Sequence, residues 1–214
     1  MRAMNPAPPE KAPKNPNSPF CLRQMPPTEF RMYYNRGDIP CSIVHSAVSQ
    51  TLNWRTDKSS LDLHHYLPLF FEGLRETQHP FSFIAEVGVR DLLEEAGQRV
   101  VPVIPQLILP IKKALETRDE GIICKTLRSV VLLLNADQLV GPALVPYFRQ
   151  ILPVLNVFYS KNVNIGDKVY YGQKKVLNIG DLIHDVLEMM EMKGGPDALI
   201  NIRYMVPCYQ SCMQ

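Results

Sequence analysis

Apolar residues fall into helical stripes from about residue 60 onward. Leu63, Tyr66, Leu67, Phe70, Phe71 and Leu74 recur at helical spacing, which predicts an amphipathic helix with a wide buried face. A second helix is predicted over 81–96, ended by Gly97 as a C-cap. Two more cover 105–117 and 121–134; in the latter, Ile123, Leu127, Val130, Val131 and Leu134 share one stripe. A fifth spans 141–159. The clearest periodicity is Ile179, Leu182, Ile183, Val186, Leu187 and Met190, with Asn178 placed to cap it and Asp181 in its first turn. Gly194-Gly195-Pro196 stops that helix. A short final helix over 197–212 is expected to close the array as its cap.

One phrase recurs inside these stripes. It reads Tyr66-Leu67-Pro68-Leu69-Phe70, then Ile108-Leu109-Pro110-Ile111, then Ile151-Leu152-Pro153-Val154. The prolines lie 42 and 43 residues apart, which is the period of paired-helix repeats of the HEAT and armadillo type. A proline in an apolar run starts or kinks a helix, so the phrase reads as a recurring helix start. The fold class expected is all-α: an armadillo/HEAT-like helical-repeat solenoid over 60–214.

Two other stretches precede the stripes. Residues 28–59 read as a connector with a small N-terminal β-hairpin, in which Ile43-Val44-His45 and Leu52-Asn53-Trp54-Arg55 flank a polar turn at Ser49-Gln50. Arg36-Gly37-Asp38 before it reads as a turn. Trp54 is either a core anchor or a partly exposed contact, and its large ring area favours the core. Residues 1–27 hold eight of the 19 prolines, which predicts a polyproline-II-like or disordered extended tail.

Composition narrows the function. The 214 residues are 46% apolar and 21% charged, enough for one packed domain and a tail. The net charge of +2 is uneven: residues 1–36 carry +4, so the remainder sums to −2. A body of that sign has no general attraction to nucleic acid or an anionic membrane. Five cysteines, an odd number, argue for reduced thiols over a disulfide framework. With no glycosylation sequon and no apolar leader region, an intracellular setting is expected. The longest apolar run, 100–111, holds three prolines and is too short to cross a bilayer.

Catalytic chemistry finds little support. His64 and His65 are adjacent, so on a helix they point apart and converge poorly on a metal. Cys208-x-x-x-Cys212 lacks a second pair of ligands. There is no P-loop, dinucleotide fingerprint or nucleophile elbow. No cofactor, metal or catalytic residue is expected.

Long phrases in a fixed order resemble one family. They are Tyr34-Asn35-Arg36-Gly37-Asp38-Ile39-Pro40, Leu61-Asp62-Leu63-His64-His65-Tyr66-Leu67-Pro68, Pro105-Gln106-Leu107-Ile108-Leu109-Pro110, Ala143-Leu144-Val145-Pro146-Tyr147-Phe148-Arg149-Gln150, Asn178-Ile179-Gly180-Asp181 and Ile200-Asn201-Ile202-Arg203-Tyr204. From about residue 28 onward the chain resembles the Parkin co-regulated proteins. The resemblance implies a non-enzymatic microtubule inner protein in the axoneme of cilia and flagella. It would sit at the inner junction of the doublet, where the B-tubule wall closes on the A-tubule. The implied partners are α/β-tubulin, a small β-sandwich inner-junction protein and other microtubule inner proteins, with neither nucleic acid nor membrane. Some members also bind a small meiosis-expressed partner through the Trp matching Trp54. Thr51, Ser59 and Glu95 depart from the types expected around it, so that contact is not carried over.

The candidate contact residues are basic and aromatic. They are Lys11, Lys14, Arg23, Arg31, Tyr33 and Arg36 in the N-terminal stretch, Trp54 and Arg55 on the hairpin, and Lys161, Lys168, Tyr170 and Tyr171 in the polar insertion over 160–175. Residues 1–36 are expected to thread past the acidic tubulin surface while the helical body packs by shape and apolar contact.

Overall fold

A computed structural model describes residues 18–45, 50–161 and 178–212. The described chain is mostly helical, with one two-stranded antiparallel hairpin near its N-terminus.

The connector holds a helix that the sequence pattern did not predict, α1 (Glu29–Arg36). Thr28 caps it by accepting from the Arg31 N–H, and Gly37, at φ 82°, ends it in the left-handed region. The expected turn follows, closed by an Arg36–Asp38 ion pair at 3.1 Å. Strands β1 (Cys41–His45) and β2 (Gln50–Trp54) pair with Cys41 opposite Trp54 and Ile43 opposite Leu52. Burial is the leading cause that pushes the Cys41 thiol up to about 12, helped by Asp91 and opposed by Arg55. Cys41 is therefore held as an unreactive thiol in the core.

The helices form two rows. Helices α2 (Leu63–Gly73), α4 (Ile104–Glu116) and α7 (Phe148–Tyr159) pack side by side in sequence order. Helices α3 (Phe81–Ala96), α5 (Glu120–Ala136) and α8 (Ile179–Gly194) form a second row behind them. Side chains such as Leu67, Phe70, Ile84, Leu92, Leu107, Ile111 and Leu127 fill the space between the rows, all fully buried. The short helix α6 (Val140–Leu144) packs on α8, and α9 (Ala198–Met205) packs on α7 and α8.

The repeated phrase marks the middle of a helix, not its start. Pro68, Pro110 and Pro153 lie inside α2, α4 and α7. Each leaves the carbonyl four residues back without its helix bond. Those carbonyls belong to His64, Gln106 and Arg149, three exposed residues, so water can reach that side of each helix.

Prolines also break two predicted helices. Pro142 and Pro146 split 141–159 into α6, a 3-10 turn (Val145–Tyr147) and α7. The last helix stops at Met205 ahead of Pro207, so Cys208 and Cys212 lie beyond it. Asn178 caps α8 as its position implied, accepting from the Gly180 N–H.

After α9 the chain folds back over α8. Glu191, 5% exposed, accepts from the Tyr209 hydroxyl at 2.6 Å, from the Ser211 hydroxyl and from the Cys212 N–H at 3.3 Å. Burial alone would raise the Glu191 carboxyl, but these hydrogen bonds outweigh it and hold it below the usual value. A depressed folded value contributes stability above the ordinary glutamate range, lost as pH falls through the folded value. Acidification should therefore release residues 206–212 before the rows unfold. A protection factor at the Cys212 amide that falls with acidification, and does not fall in E191Q, is the expected result; a pH-independent protection factor in the wild type would refute the latch.

Candidate partner-binding surfaces

The N-terminal candidates are tied into the fold to different degrees. Residues 18–27 run as an extended strap across helix ends. The Arg23 N–H donates to the Thr117 carbonyl at 3.0 Å, Arg118 donates to the Ser18 carbonyl at 3.3 Å, and Arg75 donates to the Pro26 carbonyl at 3.1 Å. Phe20 meets Phe158 edge-on at 5.6 Å. Arg23 is exposed.

Arg31 is largely structural. Its guanidinium pairs with Glu76, donates to Gln78 at 3.1 Å and lies 4.7 Å from the centroid of Phe81. Glu76, 7% exposed, also accepts from the Thr28 hydroxyl. Tyr33 packs edge-on against His65 at 5.6 Å, with the Arg36 guanidinium 5.5 Å from its ring centre. Arg36 is thus the freest cation of α1, with 60% of its side chain exposed.

Trp54 is half-buried and serves first as an anchor. Its ring sits 5.7 Å from Phe70, and its Nε1–H donates to Asp91 Oδ2 at 3.0 Å. Arg55 beside it is exposed, and its N–H donates to the Pro40 carbonyl at 2.9 Å. Lys161 lies at the far end of α7, paired with Glu120 and 4.9 Å from the Phe20 ring centre. Lys11, Lys14, Lys168, Tyr170 and Tyr171 lie outside the described residues. Among the described candidates, Arg31, Tyr33 and Arg36 share α1, while Trp54, Arg55 and Lys161 sit on other elements. The candidates do not form one site.

A groove of about 710 Å³ was not anticipated. It runs along the outer face of the α3, α5 and α8 row. Its apolar lining includes Phe83, Val87, Val131, Leu132, Leu182 and Met189. Glu86, Arg90, Lys125, Arg128 and Asp185 supply its charges. The signal was present in the sequence: Val131 and Leu132 widen the stripe of α5 beyond what one buried face needs. Counting Val131 and Leu182 as core concealed it.

His64 Nδ1 meets the Gln106 amide at 3.3 Å, and no group of three or more His, Cys, Asp or Glu side chains converges on a metal-sized site among the described residues. No described helix is long and apolar enough to cross a membrane.

Comparison with known proteins decides the relationship. A family model described as Parkin co-regulated protein matches residues 28–211. The chain belongs to this family. A mouse protein named Parkin coregulated gene protein homolog is 51% identical over 194 residues, covering 91% of this chain and 80% of the mouse protein. The family match begins at Thr28, the cap of α1, and ends at Ser211, which closes on Glu191. Both helix rows, the hairpin and the groove lie inside it. The strap precedes it, and so do Lys11 and Lys14.

Proposed function

We propose that this chain is a structural, non-enzymatic inner protein of ciliary doublet microtubules, placed at the inner junction. The observation that carries the reading is family membership across the whole helical body. On this reading the two rows of helices are an armadillo/HEAT-like stack, and the body is held by shape and apolar contact. Its charge of −2 outside residues 1–36 fits burial in a crevice better than a grip on acidic tubulin tails. The partners are α/β-tubulin, a small β-sandwich junction protein and other inner proteins.

The strap narrows the part of the N-terminus proposed to reach tubulin. Because residues 18–27 bind the helix ends, the tether reduces to 1–17, which carry Lys11 and Lys14. In ciliated cells lacking the native protein, a tagged copy should remain on detergent-stripped axonemes. A doublet density map should show a helical domain at the inner junction. A purely cytosolic tagged pool would overturn the placement. Removing residues 1–17 should lower the salt needed to extract the protein; extraction identical to wild type would reject the tether and leave the placement standing.

The groove favours a second reading, a helical-repeat adaptor that holds a peptide from a partner. A soluble tagged pool that co-purifies with a cytosolic partner, without axonemal signal, would select it.

A further inference from the structure

The last helix of a packed array is expected to turn a polar face outward. The outer face of α9 does not. Ile200 is 70% exposed and Tyr204 74%, the two most exposed large apolar side chains described. Arg203 is exposed and falls between them at helical spacing, so Ile200, Arg203 and Tyr204 share one face while Ala198 and Ile202 are buried. From the start of α7, Arg149 lays its guanidinium 5.9 Å from the centre of the Tyr204 ring. Neither Arg149 nor Arg203 has a carboxylate partner among the described residues. Asp197 precedes α9 and offsets the positive end of that helix.

We propose that this face docks an acidic segment of a partner protein, seating one apolar side chain of that segment on Ile200 and Tyr204 and its carboxylates on Arg149 and Arg203. An arginine stacked on a ring presents its donor fork with part of its freedom already lost, which suits bidentate capture of a carboxylate. Tyrosine and arginine are also the residues that dominate binding energy at interfaces. Charge selects this occupant over two others. A second copy of the chain would bring arginines against arginines across a two-fold axis. An anionic membrane would meet two cations on a body that is otherwise net negative. The inference concerns the partner's chemistry and is independent of placement in the doublet.

The test uses the full chain and three labelled dodecapeptides. One repeats Glu-Glu-Phe, one has Lys for each Glu, and one has Ser for each Phe. Fluorescence anisotropy should show the Glu-Phe peptide binding about ten-fold more tightly than either control, more weakly as salt rises. Tyr204→Ser should weaken it about five-fold, and Arg149→Gln with Arg203→Gln about ten-fold. These side chains are exposed, so the variants should melt with the wild type. The proposal is overturned by absent binding, by equal binding to the variants, by a dimer that Tyr204→Ser dissociates, or by variant-sensitive binding to phosphatidylserine vesicles.

Discussion

Phe70→Ala is expected to cost about 3–5 kcal/mol. Phe70 is fully buried on α2 and is the meeting point of three other elements. The α1 ring of Phe30 stands edge-on to it at 5.3 Å, and the hairpin ring of Trp54 lies 5.7 Å away. On α3, Gly88 leaves the space into which the ring fits; a Cβ there would lie 2.2 Å from Phe70 Cε1. Truncation would therefore remove the surface on which α1 and the hairpin rest, beyond opening a cavity in the rows. Chemical denaturation measures the loss, and a melt should fall by about 2–4 °C per kcal/mol in a chain of this length. Trp54 is the single tryptophan, so its emission should shift to the red in the native baseline as its ring loses cover. A loss under about 1 kcal/mol, or unchanged Trp54 emission, would show that the three elements are held by other contacts.

The helices were legible because their stripes are long and regular, and the Asn178 cap and the presence of a hairpin followed from local chemistry. Helix α1 was not legible, since in eight residues it buries only Phe30 fully, Met32 is exposed, and Tyr33 and Tyr34 lie as rings against the surface of α2 and α3. The prolines misled for a physical reason. A proline tolerates helix interior where the freed carbonyl meets water, and the sequence alone does not say which side of a stripe faces out. The strap over 18–27 was hidden because, apart from the Phe20 ring on Phe158, it binds through backbone carbonyls of Ser18 and Pro26 and the backbone N–H of Arg23, which leave no side-chain pattern. The candidate contacts were chosen by charge and aromaticity. That criterion found the exposed Arg36 and Arg55 but also the Arg31 and Trp54 anchors, and it passed over the aliphatic groove lining. Tyr204 and Arg203 stood in a family phrase, yet only the fold shows that they face outward.

Gly141→Ala should cost about 3 kcal/mol and, unlike the corresponding change at Gly88, should have no side-chain remedy. Both glycines are helical, where alanine brings an intrinsic gain of up to about 1 kcal/mol, so the clash has to exceed that gain to be seen. At Gly88 the obstacle is the Phe70 ring. Gly88→Ala should destabilise by about 1–3 kcal/mol, and adding Phe70→Leu should cost less than the two losses added, because the smaller side chain vacates the space. At Gly141 the obstacle is main chain: a Cβ would lie 2.1 Å from the carbonyl oxygen of Lys193, in the last turn of α8. That turn is pinned, since Lys193 Nζ donates to the Leu134 carbonyl at 2.9 Å and to Asn135 Oδ1 at 2.6 Å. Alanine at 141 must push α6 off α8, and Lys193→Ala cannot relieve it because the carbonyl stays in place. Urea titrations of the four single variants and the two double variants decide the matter. Recovery of Gly141→Ala by Lys193→Ala would mean that the side chain, and not the backbone of α8, sets the spacing between these helices.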